Sequence, residues 1–300
     1  MLLTNAAQTD AHHFHAKGEA MDFNQAIKFA QLVNEAYAIQ PTGLANQVGK
    51  TTSGGLGPAS TSYEVITSIY ANDLATEINP LRAQVQVSIG MVLQNTASGD
   101  AVVAIRGTEG ILEWLHDGSF LMVPCPFLAG AGHTEDGFTQ MYKSLALGTA
   151  AGSPTLAGAL ASLQWKKPVA SLTICGHSLG GALATLLALD VAANTPFKNP
   201  IVYTYASPKT GGPHFADAYN RLVPSTFRVA NRLDLVPKLP LPPLYEHVVG
   251  LVDLNPLLPG LPLKFLVKPE IPCLHILTSY LFLLSRQAGS TVLPLSPNCQ

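Results

Sequence analysis

The sequence predicts an α/β fold in which a mainly parallel sheet carries helices on both faces. Apolar runs of strand length alternate with helix-like segments between Val169 and Ala230, and an antiparallel hairpin precedes them. This alternation favours parallel pairing, because each helix returns the chain to the edge where the next strand starts. A length of 300 residues suits one such domain, so we expect residues 1–300 to form a single domain with a flexible tail over residues 1–20.

A helix and the hairpin come before this alternation. The segment "FNQAIKFAQLVNEAYAI" carries apolar residues at helical spacing, which predicts a helix with one face on the core. That face consists of Ala26, Phe29, Ala30, Val33 and Tyr37. The segment "VQVSIGMVL" (85–93) is apolar at every second position, which predicts a strand with one buried face. The turn "NTASGD" then connects it to the buried strand "AVVAI", and this hairpin leads into "RGT".

The alternating region consists of three strands and two helices. The runs "VASLTIC", "PIVYTYA" and "STFRVA" are typical of buried strands, whereas "LGGALATLLALDVAAN" and "PHFADAYNRL" are typical of helices. Downstream of Val236, proline and leucine crowd the chain as far as Cys273, which predicts loops and short strands rather than long helices.

Charge and composition limit the partners. The formal net charge is -2, and the lysines and arginines are scattered, so we expect no nucleic-acid partner. Only 12% of the residues are charged and 47% are apolar, whereas a typical soluble domain is roughly 25% charged. The apolar excess favours a larger core or a dimer interface, and a surface that contacts lipid is the alternative.

The chain shows no pattern for membrane insertion or export. No run approaches the roughly 20 apolar residues that a transmembrane helix needs, and the N-terminal residues lack the basic and apolar regions of a signal peptide. We therefore expect no transmembrane segment. The localisation stays open between a cytoplasmic protein and a secreted one that is leaderless or trimmed.

The cysteines and histidines do not predict a metal site. Cys125, Cys175, Cys273 and Cys299 are too few and too dispersed for a disulfide scaffold or a zinc site, which favours free, mostly buried thiols. A bridge between Cys273 and Cys299 stays open at this stage. The "HHFH" run at residues 12–15 has no acidic or cysteine companions, so we expect no metal and no cofactor.

The strongest chemical signal is a serine between glycines at a junction of strand and helix. Ser178 lies in "GHSLG" (176–180), directly after "VASLTIC" and before the helix "LGGALATLLALDVAAN". In this context G-x-S-x-G predicts a strained turn that presents the serine hydroxyl beyond the sheet edge, where it can act as a nucleophile.

A serine nucleophile needs a base. In this arrangement the acid precedes the histidine in the chain, which excludes His214, and His177 belongs to the turn itself and points elsewhere. His247 lies in an apolar alternation typical of a structural histidine. His275 follows a proline-rich loop close to a helix start, so we favour His275.

The acid candidates are Asp190, Asp234 and Asp253. Asp190 lies about 18 Å along the helix that follows the serine, because each residue rises roughly 1.5 Å, and it cannot reach the same histidine. Asp234 follows the strand "STFRVA" at the carboxyl end of the sheet, where α/β proteins collect site residues, so we favour it. Asp253 is the reserve candidate.

An oxyanion formed at the serine needs hydrogen-bond donors. The backbone N–H of Leu179 is one, since it lies at the start of a helix. The second is expected from the loop after an earlier strand, and "VVAIRGTEG" places Thr108 there.

These motifs together resemble the class 3 lipases, the fungal-type triacylglycerol lipases with an α/β-hydrolase fold. The similarity is carried by "AIRGTEGILEWLHD", "GHSLGGALA", "VANRLDLVPKLP" and "CLHILTSYL", and it spans roughly residues 20 to 285. It implies the same catalytic Ser178, Asp234 and His275, with Thr108 at the oxyanion position and the segment after Thr108 as a lid. The departures are Ile105, where the family usually has an aromatic residue, and the missing leader.

The implied lid covers residues 109–123. Ile111, Leu112, Trp114 and Leu115 alternate with polar residues there, which favours a short amphipathic helix that covers an acyl groove and makes transient contact with a lipid interface. A fixed packing helix is the alternative. The proline- and leucine-rich residues 237–273 form a second candidate flap.

The functional hypothesis is a serine ester hydrolase (lipase) that cleaves acylglycerols or related lipid esters. A short-chain or feruloyl-type carboxylesterase and a phospholipase are alternatives, because they use the same catalytic groups. A hydrolase-fold protein that only binds lipid is a further alternative, although no member of the triad is missing from the sequence.

Overall fold

The computed structural model describes most of the chain in seven ranges. They are residues 20–39, 51–53, 62–72, 86–108, 120–148, 155–255 and 271–299. The "HHFH" run, most of the predicted tail and lid, and residues 256–270 of the candidate flap lie outside them. The boundaries of the domain, tail, lid and flap therefore stay predictions.

A large sheet forms the centre of the described fold. The strands in chain order are β1 (Thr51–Ser53), β2 (Ser62–Asn72), β3 (Gln86–Asn95), β4 (Ala101–Ile105), β5 (Met122–Pro124), β6 (His133–Glu135), β7 (Ala146–Leu147), β8 (Leu172–His177), β9 (Ile201–Tyr205), β10 (Thr226–Asn231) and β11 (Leu251–Leu254). In the described ranges, the main sheet has the order β1-β2-β3-β4-β8-β9-β10-β11, with β7 beside β2. Strands β5 and β6 form a separate antiparallel pair.

The pairing directions divide the sheet into two parts. Strands β4, β8, β9, β10 and β11 are parallel neighbours, whereas β1 to β4 pair antiparallel. The predicted hairpin of β3 and β4 is confirmed. The parallel part brings the carboxyl ends of β4, β8 and β10 to one edge, where loops of an α/β sheet form sites.

Helices cover the sheet on both faces, as predicted. They are α1 (Phe23–Ile39), α2 (Asp136–Lys143), α3 (Leu156–Ser162), α4 (Leu179–Asn194), α5 (Pro213–Leu222), α6 (Ile271–His275) and α7 (Leu277–Gln287). Apolar residues of α1 and α7 share one buried cluster, and those of α2 to α5 share the other. None of the helices in these ranges has the length and apolar character needed to cross a bilayer.

The burial of strand β3 differs from the expectation. The prediction that the strand over residues 85–93 has one buried face is wrong, since residues 89–95 of β3 are all buried. Both faces are covered there, because Ile89 and Val92 pack toward α2 to α5 while Met91 and Leu93 pack toward α1.

The expectation of short elements after Val236 holds in the described part, which contains a 3-10 turn (Val236–Lys238) and β11.

The expectation of free thiols is wrong for two of the four cysteines. Cys273 and Cys299 form a disulfide with Cα atoms 5.5 Å apart, whereas Cys125 and Cys175 are free and buried. A 3-10 turn at Pro297–Cys299 returns the chain to α6, and this long-range approach has no local sequence pattern.

Candidate active site

A sharp turn between β8 and α4 presents Ser178. The strand ends at His177 and the helix begins at Leu179, so Ser178 occupies the predicted junction with φ 58° and ψ -126°. Its N–H donates to the Tyr205 carbonyl (2.8 Å), and its own carbonyl accepts from the Gly181 N–H (2.8 Å). A positive φ is strained for a residue with a Cβ, and these bonds hold the strained turn in place.

The glycines of this turn are required by close backbone approach. A Cβ on Gly176 would lie 2.1 Å from the Gly180 carbonyl oxygen. A Cβ on Gly180 would lie 2.3 Å from the carbonyl oxygen of Ile105, which ends the neighbouring strand β4. Because backbone occupies both positions, no side chain fits at either glycine, and helix α4 can start directly against the sheet.

The structure brings the predicted serine, histidine and aspartate into one hydrogen-bonded line. His275 Nε2 is 2.7 Å from Ser178 Oγ, and His275 Nδ1 is 2.8 Å from Asp234 Oδ2. Ser178 and Asp234 are each 1% exposed and His275 is 6% exposed. Asp234 lies in the loop after β10, and His275 is the last residue of α6.

Further hydrogen bonds, which the sequence did not indicate, hold Asp234 and His275 in place. Tyr280 of α7 donates its hydroxyl hydrogen to Asp234 Oδ2 (2.7 Å), and the Val236 N–H donates to Asp234 Oδ1 (3.0 Å). Asn231 Nδ2 donates to the Leu274 carbonyl (2.9 Å) beside His275. In the sequence, Tyr280 looks like any tyrosine on the buried face of a helix. Its hydrogen bond depends on Asp234, 46 residues away, so no local pattern indicates it.

The alternative acids and base have other partners. His247 Nε2 bonds the Pro237 carbonyl, and burial, together with the positive charge of Arg228, lowers the pKa of His247 from 6.5 to about 3. Asp190 accepts from the Tyr142 hydroxyl, and Asp253 pairs with Arg232.

The expected oxyanion donors flank the serine. Leu179 is the first residue of α4, where backbone N–H groups have no acceptor within the helix. The loop from Arg106 to Thr108 lies against the turn, since a Cβ on Gly107 would be 2.9 Å from Ser178 Cβ. Arg106 anchors this loop through hydrogen bonds to the Gly107 carbonyl (2.6 Å) and to the Ser88 carbonyl (2.9 and 3.1 Å).

The lid candidates Ile111, Leu112, Trp114 and Leu115 lie outside the described residues. Directly after them, the Phe120 ring meets Tyr245 edge-on with centroids 6.3 Å apart, and the Tyr245 hydroxyl donates to the Leu121 carbonyl (3.2 Å). Leu121 and Leu244 are exposed at 63% and 64%. The described end of the candidate lid therefore meets the start of the candidate flap at an exposed apolar surface.

Comparison with known proteins agrees with this architecture. A family model described as "Lipase (class 3)" matches residues 102–243, which include Thr108, Ser178 and Asp234. A secreted mono- and diacylglycerol lipase of Fusarium solani is 31% identical over 151 residues, which cover 50% of this chain and 42% of the relative. Phospholipase A1-II 6 of Oryza sativa subsp. japonica is 31% identical over 231 residues, or 64% of this chain and 56% of the relative. The chain thus spans about half the length of these relatives.

Solved structures show the same fold at low identity. The Lip2 lipase of Yarrowia lipolytica superimposes with a TM-score of 0.56 and 22% identity, covering 81% of this chain and 80% of that one. A triacylglycerol lipase of Penicillium expansum gives 0.57 and 22%, covering 78% and 80%. These likenesses show an α/β-hydrolase fold. The family model and the sequence relatives add a similarity to the class 3 lipases over residues 102–243.

Proposed function

We propose that the chain hydrolyses carboxylic esters of lipids through a covalent acyl-enzyme on Ser178. The observation that carries this proposal is the unbroken line of hydrogen bonds from Ser178 Oγ through His275 to Asp234. A serine hydroxyl is a weak nucleophile until a base within hydrogen-bond reach removes its proton, and His275 Nε2 lies at that distance.

The reaction follows from the roles that these positions allow. Ser178 Oγ attacks the ester carbonyl carbon while its proton moves to His275 Nε2, and Asp234 stabilises the resulting imidazolium. The negative oxygen of the tetrahedral intermediate accepts hydrogen bonds from the Leu179 N–H and from Thr108. His275 then protonates the leaving alcohol. A water molecule, activated by the same histidine, finally releases the acid.

The proposed substrates are acylglycerols, because Leu121 and Leu244 expose an apolar surface where the candidate lid and flap meet, and a relative is named a mono- and diacylglycerol lipase. We also propose that residues 109–123 form a lid that opens at a lipid interface, because apolar and polar side chains alternate there as in a short amphipathic helix. A phospholipid is the second candidate, since rice relatives named phospholipases A1-II match as much as 64% of this chain. A short-chain or feruloyl-type esterase would use the same triad.

A serine-directed fluorophosphonate probe tests the enzyme proposal. We expect the native protein to be labelled and Ser178→Ala to lose labelling completely. Ser285→Ala is the matched control, because Ser285 is another fully buried serine, on α7, outside the site. Equal labelling of the native protein and Ser178→Ala, or none of either, would contradict the proposal.

Substrate preference needs a separate measurement. We expect rates on p-nitrophenyl esters to persist from acetyl to palmitoyl, and rates that collapse beyond butyryl would favour the esterase alternative. Triacylglycerol emulsions compared with phosphatidylcholine vesicles separate the two lipid classes. Specific activity that does not rise across the solubility limit of a triacylglycerol would contradict an interfacial lid.

We also propose a secreted localisation over a cytoplasmic one. The Cys273–Cys299 disulfide suits an oxidising compartment, and the Fusarium relative is named as secreted. Finding the protein only inside the cells of its source organism, with both thiols reduced, would contradict this.

A further inference from the structure

A chain of hydrogen bonds, partly buried at Tyr37 and buried at His177, connects the oxyanion loop to the histidine of the triad without passing through Ser178. The Gly107 N–H donates to the Tyr37 hydroxyl oxygen at 2.8 Å. The same hydroxyl is 2.8 Å from His177 Nδ1, and His177 Nε2 is 2.8 Å from the His275 carbonyl oxygen. We call the pair Tyr37 and His177 the relay.

The partners determine where each hydrogen lies. The His275 carbonyl can only accept, so the proton of the His177 ring is on Nε2. Nδ1 is then an acceptor, and it receives the Tyr37 hydroxyl hydrogen. The Tyr37 oxygen can in turn accept from the Gly107 N–H. All three bonds are therefore satisfied by one arrangement, in which His177 is neutral.

The surroundings of His177 favour this neutral form. Its side chain is 4% exposed, its ring lies 5.0 Å from the His275 ring, and the Tyr280 ring meets it edge-on at 6.1 Å. Burial, and then the neighbouring His275, lower the pKa of His177 from 6.5 to about 3. A proton on Nδ1 would remove the acceptor for Tyr37 and break the relay.

The relay connects the two parts of the chain on either side of the reacting atoms, the oxyanion loop and His275. Gly107 precedes Thr108, the expected oxyanion residue, and Gly107 also packs against Ser178. His275 carries the base. The relay touches neither Ser178 Oγ nor the imidazole nitrogens of His275, since its bonds reach the backbone on each side.

We propose that Tyr37 and His177 are positioning residues that set the oxyanion loop and the backbone of His275 relative to each other. This proposal rests on the ester hydrolysis proposed above. Since the relay bonds backbone on each side of the reacting atoms, its loss is expected to displace catalytic groups, which lowers kcat and leaves KM nearly unchanged. A purely structural role predicts lower stability with an unchanged kcat for the folded protein.

Three substitutions separate the two ends of the relay. Tyr37→Phe removes only the hydroxyl, and His177→Gln keeps an amide donor near the Nε2 position while it loses the Nδ1 acceptor. Both break the bond between Tyr37 and His177, and Tyr37→Phe also removes the acceptor of the Gly107 N–H. His177→Asn keeps an acceptor near Nδ1 and loses the donor to His275. We expect each to lower kcat on a soluble p-nitrophenyl ester by about 10-fold or more, because small displacements of catalytic groups are costly.

The matched control is Tyr219→Phe, which removes the hydroxyl of a buried tyrosine elsewhere in the fold, hydrogen-bonded to Thr226 at 3.0 Å. We expect its kcat to equal that of the native protein. The double variant Tyr37→Phe/His177→Gln should be no slower than Tyr37→Phe, because the tyrosine substitution already removes the Tyr37–His177 bond. In contrast, Tyr37→Phe/His177→Asn should show the two losses multiplied.

The outcomes distinguish this inference from the proposed function. If the native protein hydrolyses esters and Tyr37→Phe keeps the native kcat, the relay is not a positioning device. The same holds if kcat falls only in proportion to the unfolded fraction, as measured by circular dichroism. Should the His177 variants fail to fold, Tyr37→Phe alone decides. A native protein that hydrolyses no ester would overturn both proposals.

Discussion

Two regions that meet at the hydrogen bond between Ser178 and His275 are built in different ways. The nucleophile elbow (Leu172–Asn194) is one continuous stretch, and its shape depends on backbone atoms that approach too closely for a side chain at Gly176 and Gly180. The acid–histidine region (Asn231–Val236 with Ile271–Tyr280) joins two separate segments through side-chain hydrogen bonds. The elbow should therefore be sensitive to added volume, and the acid–histidine region to lost hydrogen-bonding atoms.

The largest expected effect tests the acid–histidine region. Asp234→Asn keeps the volume of the side chain but changes the acceptor facing His275 Nδ1, which favours the wrong imidazole tautomer. We expect kcat to fall by about 10⁴-fold, the effect of this change in serine proteases. Asp253→Asn is the control, because Asp253 pairs with Arg232 instead, and its kcat should remain native. A native rate in Asp234→Asn would exclude Asp234 as the acid.

Added volume in the elbow should have the next largest effect. In Gly180→Ala, the new Cβ would lie 2.3 Å from the Ile105 carbonyl oxygen and 2.5 Å from that of Arg106, and both belong to backbone that cannot turn away. We expect a loss of about 3 kcal/mol or more in the free energy of unfolding, measured by urea denaturation. Gly289→Ala controls for the added methyl group, because no atom lies within 4 Å and only its φ of +63° opposes it. Its cost should be about 1 kcal/mol.

The disulfide tests whether the acid–histidine region needs a covalent tie. Cys273 lies two residues before His275, and its partner Cys299 is 26 residues further along the chain. Opening a loop of this length by Cys273→Ser with Cys299→Ser should lower the free energy of unfolding by about 3 kcal/mol. Unchanged urea denaturation would show that hydrogen bonds and packing hold this region alone.

The same contrast explains how much of the molecule the sequence predicted. The observed bounds of α1, α4 and α5 are those of the segments predicted as helices. The apolar spacing and the end residues that define these helices lie within each segment, so they can be read without knowing the rest of the fold. The elbow is also a local pattern, in which strand, glycine, serine, glycine and helix follow each other directly.

The contacts that escaped prediction join distant segments. Tyr37 lies 140 residues from His177, and its position on the apolar face of α1 predicts a core residue rather than a hydrogen bond to the site. Cys299 pairs with Cys273 only because a turn after α7 brings the end of the chain back. For residues 85–93, a local pattern gave a wrong prediction. Their alternation predicted one buried face, and the sequence of one strand cannot reveal that helices cover both faces of the sheet.

The smallest effect concerns two histidines held in a neutral form, the buried His177 in the elbow and the partly buried His247 between the two segments of the acid–histidine region. Their folded pKa values of about 3 lie below the ordinary 6.5, so the unfolded chain binds protons that the folded chain does not. Their contribution to stability is complete above about pH 6.5 and is lost as the pH falls toward about 3, by roughly 1 kcal/mol per pH unit for each histidine. His177→Asn and His247→Asn should each flatten the slope of the free energy of unfolding against pH by that amount. A slope unchanged in His177→Asn would mean that His177 is charged in the folded protein, and the relay drawn with a neutral ring would be wrong.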